Sequence, residues 1–300
     1  MTHRRSPSRS LPLLHRSITA WYRLNARTLP WRETRDPYKI LVSEVMLQQT
    51  QVARVLQKYP RFISRFPSFA ALARSSKAAV IRAWSGMGYN NRAVRLRELA
   101  RMVRTQYGGK LPPDAAELQM LPGIGKYTAH AVACFAFGQR VPLVDTNIAR
   151  VLGRLFRLQD GDPWRAAEWA LPTRKAYDWN QGLMELGATV CTSARPACVR
   201  CPVVQLCPSA FVPVRRKAGT RKTEPGRDGV PNRIYRGRII ELLRRRPGTG
   251  SGVSEIGKRI KNGYSERDRK WLLRILEKLE GDGLVQSRHT GNRRRVRLAS

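Results

Sequence analysis

The chain has 300 residues, with 57 Lys and Arg against 21 Asp and Glu, a formal charge of +36. Such an imbalance exceeds what solubility needs and leaves the chain strongly self-repelling without a polyanion, so nucleic acid is the expected partner. The 42% hydrophobic content is enough for real cores; the length suits two domains, and the absence of any run of about eighteen apolar residues excludes a helical membrane span.

Residues 1–17 carry Arg4, Arg5, Arg9 and Arg16 without an acid and read as a basic disordered arm. Leu11–Leu14 is too short for a secretory apolar segment; an organellar transit peptide is the alternative to a cytoplasmic, nucleoid-associated protein. From residue 18 to 190 the pattern is helical. Ile40, Leu41, Val45, Met46 and Leu47 share a helical face, and Val52, Val55, Leu56 and Tyr59 continue it in a second helix. Further helices are expected at 68–74, 77–86, 91–106, 126–137, 147–157 and 176–190. No segment alternates as a strand, so this domain is expected to be all-α.

Within it, Leu121-Pro122-Gly123-Ile124-Gly125 separates two helices. Pro122 stops the first, and Gly123 and Gly125 allow a tight turn and close approach of backbone to a ligand. The amides of residues 123–127 open a helix N-terminus, which binds phosphate without side-chain charge. Two carboxylates stand out. Glu44 lies among Val42, Val45, Met46 and Leu47, where burial would hold its proton near neutrality, as a general acid requires. Asp145, in Val144-Asp145-Thr146-Asn147, precedes a helix. On these residues alone, an N-cap role for Asp145 and a surface position for Glu44 carry more weight.

Residues 191–212 form a cysteine loop. Cys191, Cys198, Cys201 and Cys207 are spaced C-x6-C-x2-C-x5-C, and Cys134 is the one other cysteine. Four thiolates this close can hold zinc or a four-iron cluster; two disulfides do not suit a chain of this length with no sign of an oxidising compartment. Residues 213–232, rich in Arg, Lys, Gly and Pro, read as a linker. Beyond them, helices are expected at Ile234–Arg245, Val253–Ile260 and Ser265–Glu280, then a hairpin of Leu284–Arg288 and Arg294–Leu298. Three helices and a basic hairpin predict a winged-helix-like α+β domain over 233–300. Residues 211–300 hold 25 Lys and Arg against 9 Asp and Glu, which favours DNA contact over a packing appendage.

The cysteine spacing resembles the iron–sulfur loop of the endonuclease-III-like, helix-hairpin-helix DNA glycosylases, and LPGIG followed by Lys126-Tyr127-Thr128 resembles their hairpin. Leu29-Pro30-Trp31-Arg32, Asp36-Pro37-Tyr38, Ser43–Val52, Val144–Asn147 and Asn180–Cys191 closely resemble the adenine DNA glycosylases of the A/G-mismatch type, over about residues 18–208. The resemblance implies one [4Fe-4S] cluster on the four cysteines. It also implies a monomer acting on double-stranded DNA with a mismatched or damaged base. Glu44 then protonates a flipped adenine, Asp145 stabilises the oxocarbenium-like sugar, and Tyr127 and Asn147 support them. Gln49 enters the DNA stack, Tyr89 wedges beside the orphan base, and Trp31, Arg32 and Leu47 line the adenine pocket. Gly123, Gly125 and Lys126 bind backbone. Tyr127 stands where related lyases carry the Schiff-base lysine, which implies a monofunctional base-excision glycosylase acting on adenine opposite guanine or 8-oxoguanine.

The sequence departs from the family in its tail, which lacks the usual nucleotide-pyrophosphatase-like domain, and at Thr146 and His130. A thymine/uracil glycosylase acting on T/G mismatches is the nearest alternative. A non-enzymatic, redox-sensing DNA-binding regulator is the alternative from another class.

Overall fold

Capping residues and apolar stripes set the helices of the computed structural model, which describes residues 7–158, 161–213, 224–246, 248, 250–290 and 293–300. The chain divides into two bodies: residues 1–44, 112–120 and 124–219, and residues 45–111, 121–123 and 220–300. This differs from the single break expected at 213–232, because the second body joins central helices of the chain to its C-terminal end.

In the first body, α1 (Pro7–Asn25) packs on α11 (Ala176–Thr189), which also packs on α9 (Thr146–Leu155). The disordered arm expected over 1–17 is therefore helical from Pro7, and residues 1–6 lie outside the described residues. Leu14, Ile18 and Tyr22, at helical spacing, bury one stripe of α1. Gly187 of α11 permits the approach to α9, since a Cβ there would stand 2.7 Å from Asn147 Cβ. The pair α7 (Ala115–Gln119) and α8 (Lys126–Phe137) flanks the LPGIG turn, and α10 (Pro163–Trp169) packs on α9. α2 (Pro37–Leu47) begins here and ends in the second body.

The second body holds α3 (Val52–Arg65), α4 (Phe69–Arg74), α5 (Lys77–Ala83) and α6 (Asn91–Gln106). Ser68 and Ser76 cap α4 and α5 by accepting from the amides of Ala71 and Ala79. The same body contains α12 (Asn232–Arg244), α13 (Val253–Ile260) and α14 (Arg269–Gly281). A short hairpin, β1 (Gly226–Arg227) with β2 (Val230–Pro231), precedes them, so part of the expected linker is folded; residues 214–223 lie outside the described residues. β4 (Val285–Thr290) pairs antiparallel with β5 (Arg293–Leu298), and β3 (Ser251–Gly252) adds to the other edge of β5, giving the order β3-β5-β4. Three helices and a three-stranded sheet make the expected winged-helix-like arrangement. Among the described residues, no helix is long and apolar enough to cross a membrane.

Candidate active site

Asp36 and Pro37 start α2: the Asp36 carboxylate accepts from the amide of Tyr38 at 2.9 Å, and proline suits the first helical position. The helix that follows is apolar nearly all round, with Leu41, Val42 and Met46 fully buried. Glu44 shares that environment at 4% exposure. Burial is the main cause that raises its carboxyl from 4.5 to about 7; the Tyr127 hydroxyl, hydrogen-bonded to it, and Arg32 oppose the rise, while the nearby charge of Asp145 adds to it. A carboxyl in this range is a proton donor at neutral pH.

Tyr127 is in the first turn of α8, and its hydroxyl also lies 3.8 Å from Met184 Sδ. Burial and then the charge of Glu44 hold that phenol well above its ordinary value, so it stays a hydrogen-bond donor. Asp145 precedes α9 and does cap it, accepting from Ile148 N at 2.7 Å through Oδ1. Its Oδ2 accepts from Asn147 Nδ2 at 3.1 Å. Asn147 Oδ1 accepts from Arg150 at 2.8 Å, and Arg150 also donates to Gly187 O and Cys191 O at 2.6 and 2.8 Å. Glu44, Tyr127, Asp145 and Asn147 thus form one constellation inside the first body.

Trp31 is buried. Arg32 is fastened to the helix framework: it donates to Gln181 Oε1 at 3.0 Å and to Glu185 Oε2 at 2.8 Å. Arg27 donates to the other Glu185 oxygen at 2.5 Å. Burial would raise the Glu185 carboxyl, but its hydrogen bonds to Arg27 and Arg32 outweigh it and the carboxyl is held below its ordinary value. The sequence reading missed this triad, because Glu185 lies 158 and 153 residues from the two arginines and no local pattern links them.

In the second body, Leu47 is half-buried and Gln49 exposed. Gln49 and Tyr89 both adopt left-handed backbone, with φ of 53° and 42°. Arg92, which sequence reading also missed, holds the segments that carry them. Its buried guanidinium donates to the carbonyls of Val45 at 2.8 Å, Met46 at 3.1 Å and Met87 at 3.1 Å, and to Gln48 O. The first two are among the last carbonyls of α2, which have no partner within the helix. Burial lowers the Arg92 guanidinium to about 10, leaving it charged at neutral pH. Gly123, at φ 81°, turns beside Arg95, whose Cβ would lie 3.2 Å from any Cβ added at that position. Gly125 and Lys126 are exposed at the start of α8, and Lys126 Nζ sits 4.1 Å from the centre of the Trp164 ring.

The four loop cysteines are free thiols and line one cavity of about 210 Å³. Burial lifts Cys201 to about 11; a backbone hydrogen bond from Val203 opposes this, and the other three loop thiols add to it. Arg154 donates to Cys191 Sγ at 3.1 Å. Among the described residues, no group of three or more His, Cys, Asp or Glu is arranged to hold a single metal ion.

The family model described as HhH-GPD superfamily base excision DNA repair protein matches residues 42–171. The chain is 43% identical over 246 residues to the adenine DNA glycosylase of Mycobacterium tuberculosis (strain CDC 1551 / Oshkosh), covering 76% of this chain and 77% of that one. The human adenine DNA glycosylase is 44% identical over 209 residues, 64% of this chain and 38% of its own length. A solved structure of a thermostable thymine-DNA glycosylase superposes with a TM-score of 0.64 at 34% identity, covering 67% of this chain and 96% of that one.

Proposed function

From the premise that this chain belongs to the adenine DNA glycosylases of the HhH-GPD base-excision repair superfamily, we propose that it is a monofunctional glycosylase hydrolysing adenine from mispairs with guanine or 8-oxoguanine. The observation that carries the reading is the buried Glu44, a proton donor at neutral pH, grouped with Tyr127 and Asp145. A duplex base is out of reach of a buried carboxyl, so adenine must be flipped into the site. Glu44 then gives its proton to the base as the C1′–N bond breaks, and neutral adenine leaves. The Asp145 carboxylate stabilises the sugar cation, water adds at C1′, and the proton the water loses returns to the Glu44 carboxylate. Exposed Gln49 and Tyr89, held through Arg92, suit insertion into the stack and beside the orphan base. In the first body, Trp31 and Arg32 are assigned to the adenine, Arg32 through the position that Gln181 and Glu185 fix; the same assignment for Leu47 rests on the family resemblance alone. Gly123, Gly125 and Lys126 bind backbone phosphate. Base excision across a panel of mismatches, with and without oxidised guanine, tests the reading; excision of thymine from T/G but not of adenine would replace it with the thymine-glycosylase alternative.

A lyase needs an amine at the sugar, and Tyr127 supplies none. Lys126, next in line, is engaged with Trp164. Borohydride is therefore expected to trap little protein–DNA adduct from the unmodified chain, whereas Tyr127→Lys gains trapping. Strong trapping by the unmodified chain would contradict the monofunctional reading.

Cys191, Cys198, Cys201 and Cys207 fit a [4Fe-4S] cluster. Four thiols share a cavity, and Arg154 donates to Cys191 Sγ while Arg150 donates to Cys191 O. Zinc on the same four thiolates is the alternative. When bound, the cluster cross-links the loop that follows α11. The purified protein is expected to be brown with broad absorption near about 400 nm, and Cys198→Ser to lose iron and DNA affinity. A colourless protein with one stoichiometric zinc would reject the cluster.

A further inference from the structure

Within the second body, the winged-helix-like unit is docked on the helices that carry Tyr89. Ile81 of α5 and Val94 of α6 belong to the same buried cluster as Ile239, Leu243, Leu276 and Val296. Arg244 fixes the contact: its Nε donates to Ile81 O at 3.0 Å and another guanidinium nitrogen to Asn90 Oδ1 at 2.6 Å. Glu241, paired with Arg244 at 2.8 Å, accepts from Ser85. The unit is therefore not a tethered appendage to this body.

A cavity of about 840 Å³ lies between the Gly88–Asn91 turn and the facing surfaces of α12 and α14. It contains Tyr89, 56% exposed, and four cations: Arg233, Arg236, Arg274 and Lys278. Arg233 pairs with Glu224 and Arg236 with Asp282. Arg274 and Lys278 are exposed, stand four residues apart on α14, and have no carboxylate partner among the described residues. Like charges at that spacing repel on a helix, and an anion between them reverses the sign. α14 is also the second helix of the α13–α14 pair, the position that meets DNA in helix-turn-helix proteins.

The basic hairpin, expected to touch DNA, is largely engaged in the unit itself. Arg294 pairs with Glu280 at 3.0 Å and donates to Ser287, and Arg295 donates to Gly250 O at 3.0 Å. Arg297 is half-buried, and the side chain of Arg293 lies outside the described residues.

We infer that the groove between the Tyr89 turn and α14 is a phosphate track for duplex DNA, in which Arg274 and Lys278 grip the strand bearing the base opposite the adenine. The choice of strand rests on the proposed role of Tyr89 beside that base; the phosphate track itself rests on the groove.

The test uses the full chain and a duplex with 2′-fluoro-deoxyadenosine opposite guanine, which resists cleavage. Affinity is measured against salt for the unmodified chain, for R274E/K278E and for K258E/R259E, an equal charge reversal on exposed residues of α13. R274E/K278E is expected to weaken binding at least tenfold and to lower the log–log salt slope by about 1.8, or about 0.9 for each phosphate lost. K258E/R259E should change the slope by less than half of that. Phosphate ethylation on the strand opposite the adenine should interfere with the unmodified chain and no longer with R274E/K278E. Equal losses in the two variants, an unchanged slope, or interference confined to the adenine strand would overturn the inference. Adenine excision by the unmodified chain is scored separately. Failure there with a groove-dependent slope sinks the proposed activity and leaves the DNA track standing; the converse sinks the track alone.

Discussion

Glu44→Gln is expected to lower single-turnover adenine excision at least about a hundredfold, the usual scale for a general acid, with duplex affinity retained. The amide keeps the size of the carboxyl and can still pair with Tyr127, but it cannot release a proton to the base. The pH dependence identifies the group more sharply than the loss itself. The folded carboxyl holds its proton up to about 7, against an ordinary value of 4.5, chiefly because burial disfavours the charge. Excision by the unmodified chain should therefore fall as pH rises through about 7, and that limb should vanish in Glu44→Gln. Stability follows with a definite sign. Between the ordinary and the raised value the folded state binds more protons than the unfolded chain, so stability from this site falls as pH rises and levels off above about 7. The variant carries no such charge and should be the more stable protein at pH 8 to 9 by thermal melting. Near-normal turnover in Glu44→Gln, or a pH limb that persists in it, would remove Glu44 from the acid role.

The parts of this site that were legible in the sequence share one property: they are local. α6 and α8 have the bounds their apolar spacing predicts, because three or four neighbouring side chains decide whether a turn is buried. The cysteine loop and the LPGIG turn are contiguous, so spacing alone presents them. α1 shows how composition can mislead. Leu14, Ile18 and Tyr22 already trace a buried stripe, but Arg4, Arg5, Arg9 and Arg16 and the lack of acids read as a solvated arm. β3 has two residues, too few for alternation, and exists because β5 offers a free edge. The buried charges were the least legible. Arg92 sits in an ordinary basic stretch, and only the fold shows that its guanidinium closes the end of α2 and steadies the turns around Gln49 and Tyr89. Arg32 reads as a pocket residue, yet its bonds to Gln181 and Glu185 are made across the first body. Such groups act through partners that are distant in sequence, and one chain's composition does not encode the pairing.

Asp145→Asn is expected to cut excision by about a hundredfold to a thousandfold, the cost of removing one electrostatic contact to a charged transition state, while leaving the melting temperature nearly unchanged. The contrast follows from the observed role of this carboxylate as a cap and its proposed role at the sugar. As an N-cap, Oδ1 accepts from Ile148 N, and asparagine caps about as well as aspartate. In the proposed reaction it would supply negative charge to a cationic sugar, which asparagine cannot do. Asp145→Ala separates the roles from the other side: it loses the charge and the cap together, with about 1 kcal/mol of destabilisation, and it leaves Asn147 Nδ2 without its 3.1 Å acceptor. Both variants should therefore fail in chemistry, and only the alanine variant should melt early. If Asp145→Asn keeps its stability and its activity, the residue is a helix cap and the sugar cation is stabilised elsewhere. If activity in the two variants tracks melting temperature rather than charge, the loss is structural. The catalytic assignment requires the third pattern, in which a fully folded asparagine variant binds the duplex and leaves the adenine attached.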